Sequence, residues 1–149
     1  ITARSGNAVD IETTGAELVG RKDFGRGSVK LGYTFLTKAA DYGSTAVDAS
    51  FYALNYARHR ITAAITLRLS AEWELRMDNE GRMQNENSLR TLGGDDAVLS
   101  SLVMVWRPKN GRGVEITFEV DNLWDSNFQD VPAVPAPSRQ MAVSLAYGW

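Results

Sequence analysis

The sequence predicts an all-β chain, an antiparallel up-and-down meander of about seven strands, and three observations lead there. Apolar and polar residues alternate at period two in segment after segment, most clearly over 28–37, 114–121 and 141–149. No segment reads as a convincing helix, and no run of eighteen apolar residues exists to cross a membrane as one. The connections run short, long, short, long, short, long, so every short turn falls at one end of the sheet and every long loop at the other.

Residues 1–7 are polar and read as loop. Residues 8–22 read as a strand whose parity slips around Thr13-Thr14-Gly15, which predicts a bulge or bend at Gly15. Asp23-Phe24-Gly25-Arg26-Gly27 is a tight turn by its glycines. Val29, Leu31, Tyr33 and Phe35 then share one face opposite Lys30, Gly32 and Thr34. Residues 38–56 form a first long loop containing Tyr42, Phe51, Tyr52 and Tyr56.

Strand character returns at Arg60, with Ile61, Ala63, Ile65, Leu67 and Leu69 against Thr62, Thr66 and Arg68. A turn at Ser70-Ala71 leads straight into Trp73, Leu75 and Met77 against Glu72, Glu74, Arg76 and Asp78, which predicts a hairpin. Residues 81–96, rich in Asn, Gln, Gly and Asp, read as a second long loop. Residues 97–107 are a strand that is apolar on both faces, so the pattern alone does not orient it. Residues 108–113 are a Pro/Gly turn, 114–121 alternate strictly, and 122–138 form a third long loop holding three prolines, which cannot donate to a ladder. The closing strand carries Met141, Val143, Leu145, Tyr147 and Trp149 on one face.

Composition narrows the classes. The chain has 149 residues, enough for one domain, and its 16 Lys plus Arg against 18 Asp plus Glu leave a formal charge of −2, which points to no nucleic-acid partner. With no cysteine and a single His59, neither a thiolate nor a His-rich metal site is expected, and no cofactor is implied. The sequence starts at Ile1 without a methionine or signal peptide and reads as a mature or truncated piece.

Each strand approaches the ~9–11 residues that a tilted strand needs to cross a bilayer. Short turns at one end and long loops at the other are the habit of outer-membrane barrels, and the predicted fold is the C-terminal portion of a large transmembrane β-barrel, with residues 1–149 as one barrel segment. Period two by itself leaves a second option, in which the apolar face meets the far sheet of a soluble sandwich. A small complete barrel, serving as an adhesin or structural protein, is a third and requires an eighth strand. Aromatics near strand ends, Phe35, Trp73, Trp106, Tyr147 and Trp149, fit interfacial girdles.

From residue 114 onward an alternating strand is followed by Asn122-Leu123-Trp124-Asp125, Phe128, a proline-containing loop, Arg139 and an alternating strand ending in an aromatic. This resembles the C-terminal end of TonB-dependent outer-membrane receptors. Gly15-Ala16-Glu17-Leu18, Tyr33-Thr34-Phe35-Leu36 and Arg58-His59-Arg60 are similar to patterns earlier in the same barrels. Pro137-Ser138-Arg139 stands where the family commonly has Pro-Gly-Arg, and Ala57 where a proline often precedes the basic pair. The resemblance implies a stretch of a 22-stranded barrel plugged by a separate domain, and no plug is found in these residues. It further implies outer-membrane lipid as surroundings in a Gram-negative bacterium, barrel assembly machinery reading the C-terminal strand, and TonB acting through the absent plug. The activity implied is uptake of a scarce small-molecule or oligosaccharide ligand such as a siderophore or cobalamin.

Ligand in such a receptor meets the outer loops, where Tyr42, Tyr52, Tyr56, Trp124 and Phe128 offer rings with a polar tip or a flat face. Packing the loops together or forming the outer girdle explains the same rings better than ligand contact. Asn122, Leu123, Trp124, Asp125, Arg139, Tyr147 and Trp149 form the family box and terminal-strand signature, with Asn122 and Asp125 expected to bond their own backbone. Glu72 with Glu74, and Glu115 with Glu119, are carboxylate pairs on strand faces, and a solvated polar face explains them better than acid–base catalysis. No nucleophile elbow, phosphate loop or metal spacing occurs, so no catalytic residue and no metal ligand is assigned.

Overall fold

A computed structural model describes residues 10–43, 56–87, 90–111, 113–129 and 134–148. Expectations for Phe51, Tyr52 and Trp149 lie outside them. Seven strands form a single antiparallel sheet: β1 (Asp10–Phe24), β2 (Gly27–Asp41), β3 (Ala57–Arg68), β4 (Trp73–Gln84), β5 (Asp96–Trp106), β6 (Val114–Asp121) and β7 (Gln140–Tyr147). Each strand pairs with its sequence neighbour in the order β1 to β7. The all-β meander is therefore as the alternation predicts, and no described segment is helical. Connections at residues 25–26, 69–72 and 107–113 alternate with those at 42–56, 85–95 and 122–139, which gathers the long loops at one end.

Directly paired residues in an antiparallel ladder put their side chains on the same face, so the register assigns every side chain. One row, Val29, Ile65, Met77, Leu102, Val120 and Met141, runs apolar across six strands. Leu18, Tyr33, Ile61 and Val98 belong to the same face, as do Ile116, Phe118, Val143 and Leu145. Within the strands its only charged carboxylates and ammonium are Asp10, Glu12, Lys22, Asp41 and Asp96, each within three positions of a strand end. Among the described residues no layer covers this face: Leu18 is 74 % exposed and Val143 69 %.

The opposite face carries the charges. Arg60 and Arg82 both pair with Glu80, while Glu74 sits between Arg76 and Arg107, and Arg107 also holds Glu115 at 2.7 Å. β5 resolves its two apolar faces here, because Ala97 and Val105 on the charged side are buried. Besides these two, the only buried apolar side chain among the described residues is Phe128. Three such residues are far from a soluble domain's core.

Three expectations are corrected, the first being that residues 38–41, read as loop, are the end of β2 and pair with β1. β1 and β2 stay in unbroken register from Asp10↔Asp41 to Phe24↔Gly27, so there is no bulge at Gly15. Gly15 is there for close approach, since a Cβ would stand 2.6 Å from the Phe35 carbonyl oxygen. The register irregularity falls instead between Ala57 and His59, at the start of β3. Residues 81–84, read as loop, are the end of β4, with 81–83 paired to both neighbours and Gln84 to Ala57 of β3. Their polar composition misled because Arg82 and Gln84 belong to the charged face.

Candidate functional site

The long-loop end is where the predicted ligand residues fall, and the loops there are tied to one another. The Asn85 N–H donates to the Tyr56 carbonyl at 2.9 Å, joining the first loop to the second. Gln129 Oε1 accepts from the Thr91 and Leu92 N–H groups at 3.0 and 3.4 Å, joining the second to the third. Gly93, at φ +78°, permits the closest approach, because a Cβ there would collide with the Asn127 carbonyl. Arg90 pairs with Asp95 and donates to the Asn85 carbonyl at 3.2 Å, which closes the second loop on itself.

The predicted aromatics among the described residues do not converge on one site. Phe128 is 2 % exposed, with the Arg82 guanidinium 5.2 Å from its ring centre on the charged face, a cation–π contact that packs the third loop. Tyr56 lies 5.5 Å beneath the Lys38 ammonium, and its hydroxyl accepts from the Lys38 N–H at 3.3 Å, beyond the last β2–β3 pair, Phe35↔His59. The Tyr42 hydroxyl is buried without a hydrogen-bond partner among the described residues. Trp124 is on the opposite face from Phe128, so these two cannot share a ligand directly.

The box residues do come together. Asn122 and Asp125 both adopt positive φ, 46° and 53°. Asn122 Nδ2 donates to the Ser126 and Pro137 carbonyls at 3.1 and 3.0 Å, and its Oδ1 accepts from the Ser126 N–H at 2.9 Å. Asp125 Oδ1 accepts from the Arg139 N–H at 2.8 Å. The box thereby ties the end of β6 to the lead-in of β7 across the whole third loop. Leu123 contributes its N–H to the Ser100 carbonyl at 2.9 Å, extending the pairing with β5 past the end of β6.

Sequence reasoning missed what Trp124 does. Its indole N–H donates to Ser100 Oγ at 2.7 Å, Ser100 donates to Asn79 Oδ1 at 2.8 Å, and Asn79 Nδ2 donates to the Ala63 carbonyl at 3.2 Å. Asn79 and Ser100 are the polar interruptions in the middle of the apolar face, and this chain of bonds satisfies them there. Phe35, expected among the strand-end aromatics, lies in a ring cluster at the upper rim of that face: Tyr33 and His59 stack at 6.2 Å with a 2.8 Å hydroxyl–Nδ1 bond, and Phe35 lies 5.3 Å from the same imidazole. At the short-turn rim Trp73 and Trp106 stack at 5.8 Å, with Phe24 and Tyr147 exposed on the same face.

Glu74 and Glu115 are held by arginines, Glu72 accepts from the Lys109 N–H at 2.9 Å, and no described His, Asp and Glu side chains form a group of three that could hold a metal ion. No family model matches the chain, and searches of curated proteins and of solved structures find no match either.

Proposed function

We propose that this chain is part of the wall of an outer-membrane β-barrel, the C-terminal portion of a TonB-dependent receptor that takes up a scarce nutrient. The observation that carries the reading is the uncovered apolar face, which crosses all seven strands and has ring clusters at both rims. From the Trp73 level to the Met83 level is ten residues along β4. At ~3.3 Å per residue and a tilt of ~40° that is about 25 Å of height, the thickness of a barrel's lipid-facing band. Lipid satisfies such a face; water does not.

The charged face then borders the lumen, with the tied long loops above it on the outside and the short turns in the periplasm. The receptor class is supported by the Asn122-Leu123-Trp124-Asp125 box and by its work of fastening the last hairpin. In this reading the chain supplies wall, outer loops and the strand recognised by the assembly machinery. Ligand capture falls to the loops, and energy coupling runs through a plug and TonB outside these residues. A small closed barrel fits less well, because β1 and β7 do not pair with each other.

The test is fractionation of a Gram-negative host expressing the full-length protein, followed by electrophoresis of unheated and boiled samples. A heat-modifiable band in the outer membrane supports the reading. A protein that stays soluble without detergent overturns it in favour of a sandwich.

A further inference from the structure

The turn between β5 and β6 holds the sequence's single Asn-Gly pair, Asn110-Gly111. The Gly111 N–H donates to the Pro108 carbonyl at 3.1 Å and closes a β-turn with Asn110 at its third position. Crowding demands the glycine, because a Cβ at 111 would stand 2.6 Å from Pro108 Cγ and 3.3 Å from Val114 Cβ. A proline ring and a branched carbon cannot swing aside as a flexible side chain would.

An asparagine amide is converted without any enzyme when the backbone nitrogen of the next residue reaches its Cγ. Hydrogen bonds that hold the amide, burial, and a side chain on the next residue all obstruct that approach. Asn79 and Asn122 use both ends of their amides in hydrogen bonds, and Asn87 is 6 % exposed. Asn85 and Asn127 are followed by the side chains of Glu86 and Phe128. Asn110 alone of the described asparagines escapes every obstruction: it is exposed, its side-chain amide has no hydrogen-bond partner among the described residues, and glycine follows it.

We propose that Asn110 is a site of spontaneous modification, converting to aspartate and isoaspartate in the folded protein. The Gly111 nitrogen, its proton lost to water or hydroxide, bonds to Asn110 Cγ. The Cγ–Nδ2 bond breaks, and Nδ2 takes up a proton and leaves as ammonia, giving a cyclic imide. Water then opens the imide at either carbonyl: at Cγ it yields aspartate, at the main-chain carbonyl isoaspartate. Nothing is oxidised or reduced, and water is the only co-reactant. Attack requires the Gly111–Pro108 hydrogen bond to open, and exposed turn tips open at the low end of a fold's free-energy range. The product adds one negative charge next to Lys109, whose N–H donates to Glu72 Oε1 at 2.9 Å. That bond joins the β3–β4 turn to the β5–β6 turn, so the modification falls on the clasp between two short turns.

The experiment is peptide mapping by mass spectrometry of the purified full-length protein after incubation at neutral and at mildly alkaline pH, with fragmentation that separates aspartate from isoaspartate. Both products are expected at position 110, forming faster at the higher pH because the attacking nitrogen must lose its proton, together with an acidic shift on isoelectric focusing. Asn110→Gln, whose longer side chain closes such a ring far more slowly, is expected to lose both the products and the shift. Far-ultraviolet circular dichroism checks that the sample stays folded throughout. Conversion only after unfolding in urea, or conversion of Asn127 as fast as Asn110, overturns the inference. Either result leaves the barrel reading intact, since the chemistry of the turn does not depend on what surrounds the sheet.

Discussion

Ser100 shows how a single polar side chain can be placed on an apolar face. It is 2 % exposed, accepts from Trp124 and donates to Asn79, so its hydroxyl is fully used. Ser100→Ala strands the Asn79 carbonyl oxygen and the Trp124 indole N–H together, and an unsatisfied group in an apolar setting costs about 1–3 kcal/mol. The expected outcome is a lower temperature for conversion of the folded to the unfolded gel band, with Ser101→Ala on the other face leaving it unchanged. Asn122 separates backbone from side chain. Asn122→Gly keeps the positive φ but loses three hydrogen bonds, about 1–3 kcal/mol in all, and Asn122→Ala adds strain of roughly 1 kcal/mol. Urea midpoints in detergent, ordered wild type, then glycine, then alanine, check this. Of the candidate site, the box was legible because Asn and Asp at a strand end advertise local backbone bonding. The indole of Trp124 was not, because its partner Ser100 is 24 residues away and only the register brings the two together.

The element that carries the most information is the β1–β2 ribbon. Beyond the last β2–β3 pair, Phe35↔His59, the ribbon continues alone through residues 10–15 and 36–41. There the faces exchange character in part: Asp10, Glu12, Thr14, Thr37 and Asp41 lie with Ala39 on the side that is apolar lower down, while Ile11, Leu36 and Ala40 lie with Thr13 and Lys38 on the other. This exchange is what looked like a slip of parity around Gly15. Alternation reports which neighbour each face meets, so a change of surroundings at constant backbone period mimics a bulge. The exchange falls level with the Tyr33–Phe35–His59 cluster, where the proposed membrane ends. Below that level the two faces should respond oppositely to charge. Ile65→Arg, mid-band on the apolar face, is expected to cost about 2–4 kcal/mol and to reduce insertion, as arginine does at a bilayer midplane. Ala64→Arg, one residue away on the face that holds Asp78 opposite, is expected to insert normally. Vesicle insertion assayed by heat-modifiability distinguishes them, and equal behaviour of the two variants would remove the assignment of faces.

At the scale of the whole molecule, the sheet is open. β1 presents fifteen residues along an unpaired edge and β7 eight, all of them exposed. Long uncovered edges beside an uncovered apolar face template aggregation, so this chain expressed by itself in water is expected to aggregate. In the proposed barrel both edges are paired by further strands, and the two ends of the sheet face different compartments. The absence of cysteine makes that testable without background, because any introduced thiol is the only one these residues contribute. Leu92, half exposed in the second long loop, and Asn110, exposed in the β5–β6 turn, lie at opposite ends of the sheet. Leu92→Cys in intact cells is expected to react with a membrane-impermeant maleimide, whereas Asn110→Cys reacts only after the outer membrane is permeabilised. Reaction of both in intact cells would mean that the sheet does not span the membrane, and reaction of Asn110→Cys alone would invert it. The short and long connections were legible from glycine, proline and asparagine content, but their sidedness in the proposed barrel is a property of the membrane around it, which is why labelling and not further inspection of the loops decides it.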